Sequence, residues 1–116
     1  MILDSSAVLA ILFAEDDAAR YARAIEAAET CRMSAANWLE TAIRVDLCVD
    51  PIASNAFDDF VREAGVIVEP VTAAQAEVAR RAYRAYGRGS GHAARLNFGD
   101  CFAYAFGEGD ARAAFV

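Results

Sequence analysis

The chain has 116 residues, 57% of them hydrophobic and 24% charged, and its formal net charge is −6 at pH 7. This length and composition predict one compact globular domain over residues 1–116 and exclude a disordered or collagen-like chain. All 11 basic residues are arginines, which excludes a P-loop NTPase because that site needs a lysine. The acidic balance argues against binding duplex DNA through a broad basic face.

Strand and helix patterns alternate in the first half of the chain. A short apolar run at 1–3 predicts a strand, and the polar residues Asp4, Ser5 and Ser6 that follow it predict the start of a helix. A second short strand is predicted at 30–33. The helices predicted in this half cover residues 7–13, about 17–28, 35–48 and 51–64.

The second half continues the same alternation. The β-branched segment 66–71 predicts a strand buried on both faces of a parallel sheet. Helices are predicted at 73–86, which opens with a capping box, and at 101–106, after a glycine-rich loop at 87–91. The pattern therefore predicts an α/β domain with a central parallel sheet flanked by helices. Residues 107–116 show no convincing strand pattern, so the final strand of the sheet is not accounted for.

The cysteines and the N-terminus bear on the compartment. The three cysteines show no C-x-x-C spacing, which argues against a disulfide framework and against a zinc site. No basic segment precedes the apolar stretch 7–14, which is too short to span a bilayer. We therefore expect a soluble cytoplasmic protein with reduced thiols and no membrane association.

Two aspartates lie where an α/β domain places functional groups. Asp4 follows the first strand, at the carboxyl end where such sheets carry their sites. Asp100 begins the last predicted helix and follows Gly99, whose small size lets a ligand or another backbone come close. The alternative for both residues is plain helix capping, which is a common role for aspartate.

Glu40 is a third candidate because of its place on the third helix. It falls on one angular stripe with Ala36, Ile43 and Leu47. A carboxylate directed into an apolar core is costly unless it is paired or binds a metal. The alternative is a partly exposed glutamate at the helix edge, or one paired with an arginine.

The three acids lie on separate elements that a fold can bring together. Converging carboxylates repel one another unless a cation neutralises them. Mg²⁺ and Mn²⁺ are hard ions that take oxygen ligands, so either suits such a cluster. The chemistry typical of such a site is attack on a phosphate ester by a metal-activated water.

Four segments carry a resemblance to a known family: 2–7, 33–35 with Glu40, 82–87, and 96–105 with its Leu-Asn-Phe-Gly-Asp-Cys-Phe block. Together they resemble the PIN-domain ribonucleases, and more narrowly the VapC-type toxins of bacterial toxin–antitoxin pairs. The resemblance implies a PIN fold in which Asp4, Glu40 and Asp100 are metal-binding acids. It also implies cleavage of RNA with Mg²⁺ or Mn²⁺, a homodimer, and a VapB-type antitoxin whose tail covers the active site.

The resemblance ends at about residue 106, where such proteins usually continue through another strand and a segment that carries a fourth acid. Asp110 is the candidate for that acid here. An alternative function is a catalytically impaired PIN-like protein that binds the antitoxin in a DNA-autoregulating complex. Metal-dependent cleavage separates the two hypotheses.

A run of arginines adds a local positive surface to this acidic chain. No acid occurs between Val78 and Gly99. The arginines of this stretch are Arg80, Arg81, Arg84, Arg88 and Arg95. Arginine binds phosphate through paired hydrogen bonds, so Arg84, Arg88 and Arg95 are predicted to contact single-stranded RNA. The alternative is a solvated helix face.

Overall fold

The computed structural model describes residues 1–108, so Asp110 lies outside the described residues. Its elements are α1 (Ser5–Leu12), α2 (Ala18–Ala27), β1 (Arg32–Ser34), α3 (Ala35–Asp46), α4 (Pro51–Glu63), β2 (Ile67–Glu69), α5 (Ala73–Tyr86) and α6 (Phe98–Glu108). This order confirms the predicted α/β class with its parallel pairing. None of the described helices is both long enough and apolar enough to cross a bilayer.

The sheet is small and parallel. β1 pairs with β2 in a register that sets Met33 opposite Val68. On the other side of β1, Ile2 forms a single parallel bridge with Arg32. The Leu3 N–H donates to the Arg32 carbonyl at 2.9 Å, so the predicted first strand is present as a short bridged segment. Asp4 follows this segment directly, at its carboxyl end.

The main core lies between the sheet and helices α1 to α4. The innermost side chains of this core are those of Leu3, Val8, Met33 and Val45, each fully buried. Trp38 packs beside it, with its ring 6.2 Å from that of the buried Phe57. This core anchors both the strand segment before Asp4 and the helix that carries Glu40.

β2 differs from its prediction. Ile67 and Val68 are 48% and 40% exposed, whereas the sequence predicted burial on both faces. Adjacent residues of a strand point to opposite faces, so both faces of β2 are partly open. β2 lies at the edge of the described sheet, and an apolar run is buried only where other elements cover it.

α3 also differs, and this difference concerns Glu40. The buried face of the helix consists of Asn37, Thr41 and Val45. Ile43 and Leu47, from the stripe that was predicted to face the core, are 49% and 72% exposed. The premise that Glu40 is directed into an apolar core is therefore wrong, because α3 turns a partly polar face inward. The position of Glu40 has to be judged from its contacts.

Candidate metal centre

Asp4 caps helix α1. Its Oδ1 accepts hydrogen bonds from the Ala7 N–H at 2.9 Å and from the Ser6 hydroxyl at 2.9 Å. The capping interpretation is therefore confirmed for this residue. Within residues 1–108 its second oxygen, Oδ2, makes no hydrogen bond. Asp4 can thus cap the helix with one oxygen and offer the other to a ligand.

Asp100 lies inside helix α6, at its third residue. Its backbone N–H donates to Asn97 Oδ1 at 2.8 Å, and its Oδ2 accepts from the Asn97 N–H at 2.9 Å. This reciprocal pair caps the helix at Asn97. α6 therefore begins at Phe98, three residues earlier than predicted. The carboxylate lies in the first helical turn, where the helix dipole favours negative charge.

Glu40 lies against the start of α6. Its carboxylate rests on the Cα of Gly99, so closely that a Cβ built on Gly99 would overlap both carboxylate oxygens. The structure thus brings Glu40 next to the residue that precedes Asp100. The Glu40 side chain is partly buried, and in the described part of the chain no hydrogen-bond donor or cation pairs with it. A partly buried carboxylate without a partner is a group that a cation stabilises.

Asn37 connects the elements behind these acids. Its Nδ2 donates to the Gly99 carbonyl at 2.9 Å and to Ser5 Oγ at 3.4 Å, which ties α3 to α6 and to α1. The sequence analysis missed this residue. The available signal was its spacing of four from Thr41 and eight from Val45, which marks a helix face that ends in a core valine.

The three acids do not form a ready ligand set. Among residues 1–108, no group of three or more His, Cys, Asp and Glu side chains is arranged to hold a metal ion. Asp4 and Asp100 each direct one oxygen to the amides of their own helix start. Their chemistry still fits the ion, because carboxylate oxygens are the ligands that Mg²⁺ and Mn²⁺ prefer. Glu40 is the one among them without a hydrogen bond in the described structure.

Cys101 borders this group, and its surroundings disfavour the nucleophilic thiolate form. Burial raises the pKa of its thiol, and the negative charge of the adjacent Asp100 raises that pKa further. The thiol also donates to the Asn97 carbonyl at 3.3 Å. Cys101 is therefore protonated at neutral pH, and the nucleophilic form of cysteine is the thiolate.

The predicted RNA-binding arginines lie on other elements than the acids, and Arg84 lines a cavity with Phe98 and Cys101, which flank Asp100 on α6. Arg84 is exposed on α5, and Arg88 and Arg95 are exposed in the loop that joins α5 to α6. Within residues 1–108 none of the three forms an ion pair. The Leu96 N–H donates to the Tyr86 carbonyl at 2.8 Å, which closes the loop at its base. No described contact joins these arginines to Asp4, Glu40 or Asp100.

Comparison with known proteins assigns the fold family. A family model described as PIN domain matches residues 1–108. The chain belongs to the PIN domain family. The matched residues include Asp4, Glu40 and Asp100, and Asp110 lies beyond them. This family assignment confirms the resemblance carried by the four sequence segments.

Several curated relatives of this PIN domain are named ribonucleases. The chain is 55% identical over 105 residues to ribonuclease VapC28 of Mycobacterium tuberculosis. The aligned residues make up 90% of this chain and 79% of that relative. The alignment with VapC ribonuclease Mb0625 of Mycobacterium bovis has the same percentage identity and covers the same share of each chain. It is 44% identical over 108 residues to ribonuclease VapC42 of Mycobacterium tuberculosis, covering 93% of this chain and 82% of that protein.

Proposed function

We propose that this PIN domain is a divalent-metal-dependent endoribonuclease, the toxin of a VapBC-type toxin–antitoxin pair. Its similarity to proteins named VapC ribonucleases supports the substrate class. The observation that carries the proposal is the carboxylate of Glu40, which is partly buried against Gly99, beside Asp100, with no partner in the described structure. A divalent cation is the partner that suits this group.

In this proposal Asp4, Glu40 and Asp100 together hold one Mg²⁺ or Mn²⁺ ion. When bound, such an ion activates a water molecule for attack on the phosphodiester and screens charge on the phosphate. Backbone N–H groups at the starts of α1 and α6 each hold one oxygen of Asp4 and of Asp100, which orients the two carboxylates.

RNA binding is assigned to the arginine surface. Arg84, Arg88 and Arg95 are exposed and have no ion-pair partner in the described structure, so they are available to phosphates. Tyr83 and Tyr86 are 41% and 37% exposed on the same helix, where they can stack on unpaired bases. A flexible single strand suits this surface better than a rigid duplex.

The chain acts as one domain that forms a homodimer and is bound by a VapB-type antitoxin. An exposed apolar row along α3 and its C-cap, formed by Leu39, Ile43 and Leu47, supports a partner surface, because such rows are rarely left open in monomers. The protein works in the cytoplasm without membrane association, where its RNA substrate is found and where its free cysteines stay reduced.

The test is an RNA cleavage assay. Purified protein is incubated with mixed RNA and Mg²⁺ or Mn²⁺, beside samples with EDTA and the variants Asp4→Asn and Asp100→Asn. We expect cleavage by the wild type that EDTA abolishes and that both variants lose. Cleavage by both variants at the wild-type rate would overturn the site assignment.

A second candidate function is a catalytically impaired PIN domain that binds the antitoxin in a DNA-autoregulating complex. The observation that favours it is the absence, within residues 1–108, of three carboxylates already gathered around one point. This candidate predicts tight antitoxin binding with no metal-dependent RNA cleavage. The same assay therefore separates the two functions.

A further inference from the structure

The side chain of Asn37 links three elements through buried hydrogen bonds. Asn37 is 1% exposed, and its Nδ2 donates to the Gly99 carbonyl at 2.9 Å and to Ser5 Oγ at 3.4 Å. In return, the Ser5 hydroxyl donates to the backbone carbonyl of Asn37 at 3.2 Å. Ser5 is 7% exposed, so water competes little for these bonds. One amide thus joins α3 to the starts of α1 and α6.

Each end of this link is close in sequence to a proposed metal-binding acid. Ser5 follows Asp4, and Gly99 precedes Asp100. Asn37 itself lies three residues before Glu40 on α3, which is less than one helical turn. The amide therefore sets the relative positions of the three backbone segments that carry the carboxylates.

We propose that Asn37 is a positioning residue, which fixes the three backbone segments from which Asp4, Glu40 and Asp100 reach one divalent ion. The inference rests on the proposed function. Asn37 contacts the segments that carry the ligands and binds neither the ion nor RNA. Residues that orient metal ligands from behind commonly set the affinity of the site.

The hydrogen bonding of Asn37 separates positioning from simple packing. Its Oδ1 is buried and has no hydrogen-bond partner in the described structure. An unpaired buried oxygen destabilises a fold, whereas an apolar side chain of similar shape leaves no such group. Leucine removes this unpaired oxygen, but it also removes the hydrogen bonds to Gly99 and Ser5, which costs some stability. What leucine lacks is the N–H donor that fixes Gly99 and Ser5.

The experiment compares Asn37→Leu with Thr41→Val. Thr41 lies on the same buried face of α3 and is 0% exposed, but within residues 1–108 its hydroxyl bonds only to the Asn37 carbonyl of its own helix. Mn²⁺ binding to the metal-free protein is measured by calorimetry, and thermal melting is recorded for each variant. We expect Asn37→Leu to raise the Mn²⁺ Kd by roughly 10- to 100-fold, the range found for residues behind metal ligands. Thr41→Val should leave the Kd unchanged at a comparable melting temperature.

Ser5→Ala is a second variant that removes only the α1 end of the link. It should raise the Mn²⁺ Kd in the same direction as Asn37→Leu, and by less. A folded Asn37→Leu protein that binds Mn²⁺ as tightly as the wild type would overturn the inference while leaving the proposed function intact. If Asn37→Leu does not fold, an unchanged Kd in Ser5→Ala overturns it. Failure of the wild type itself to bind Mn²⁺ would instead remove the proposed function, and this inference with it.

Discussion

At the corner where α1, α3 and α6 meet, polar side chains are fixed by hydrogen bonds that run between elements. Asn37 reaches Gly99 across 62 positions of the chain and Ser5 across 32. On α5 and the loop after it, Arg84, Arg88 and Arg95 are exposed, and within residues 1–108 they make no ion pair. The first region is held by hydrogen bonds between distant elements, and the second is an open charged surface.

This contrast matches the two tasks of the proposed enzyme. A divalent ion needs oxygen ligands at fixed positions, so the acids depend on a supporting set of contacts. A phosphate backbone is a flexible polyanion, which extended arginines can follow without fixed geometry. Substitutions in the corner should therefore affect the reaction steeply, and substitutions on the arginine surface should affect binding in small steps.

The largest effect is expected from Asp100→Asn. The amide oxygen can still accept the Asn97 N–H, so the helix cap survives while the charge that binds the ion is lost. A bound metal ion stabilises the transition state by several kcal/mol. Because each tenfold change in rate corresponds to about 1.4 kcal/mol, we expect the cleavage rate to fall at least roughly 100-fold. Asp59→Asn, in an exposed ion pair on α4, is the matched control and should cleave like the wild type. Equal rates in the two variants would contradict the account.

Gly99→Ala and Gly87→Ala separate an effect on the candidate site from an effect on the fold. Both glycines are buried, but an added Cβ would meet different atoms at each position. A Cβ on Gly99 meets the flexible end of Glu40, whereas a Cβ on Gly87 meets the backbone carbonyl of Tyr83. We expect Gly99→Ala to lower cleavage by roughly 10- to 100-fold through displaced Glu40, at nearly unchanged stability. Gly87→Ala should instead destabilise the fold by about 1–3 kcal/mol, measured by denaturant unfolding. The reverse assignment of the two effects would show that Glu40 has no part in the reaction.

Helix starts could be predicted from the sequence because caps are local. Asp50 and Thr72 accept N–H groups from Ile52 and Gln75, each within three residues, and α4 and α5 begin as predicted. In contrast, the exposure of Val68 depends on which elements cover β2. That information lies far along the chain, so an apolar run alone misled the prediction.

In the candidate site, too, local features could be predicted from the sequence and contacts between distant residues could not. Asp4 follows a strand and Asp100 follows a glycine, and both positions can be found by local inspection. Glu40 was selected for a stripe that the structure shows to be exposed, whereas its actual neighbour is Gly99. The spacing of Asn37 from Thr41 and Val45 marks only a helix face, since the role of Asn37 depends on contacts between residues that are distant in sequence.

A smaller effect is expected from reversing charges on the arginine surface. The double change of Arg84→Glu and Arg88→Glu should weaken RNA binding and lower the slope of log K against log salt by about 1.4, at about 0.7 per phosphate contact on a single strand. The control is Arg23→Glu with Arg44→Glu, which alters the net charge equally on α2 and α3. An identical slope in both double variants would assign Arg84 and Arg88 to the solvated surface. Fluorescence anisotropy at several salt concentrations makes this measurement.

The smallest effect concerns thiol reactivity at the corner. Cys48 is exposed and should react quickly with a thiol reagent, while Cys31 and Cys101 are buried and burial raises the pKa of both. The negative charge of Asp100 raises the pKa of Cys101, and Asp100→Asn removes that charge. The pKa of Cys101 should therefore fall, and Cys101 should react modestly faster at pH 8. An unaltered slow phase would show that Asp100 does not influence this thiol. Absorbance of the released thiolate follows each phase.

Mn²⁺ binding to the wild type and to Glu40→Gln tests most directly whether the acids share one ion. Electron paramagnetic resonance detects the free ion and so measures the bound fraction. Glutamine keeps the size of the side chain but not its charge. We predict one bound Mn²⁺ per chain in the wild type and binding at least roughly tenfold weaker in Glu40→Gln. Equal binding by both proteins, or none by the wild type, would contradict the claim that these acids share one ion.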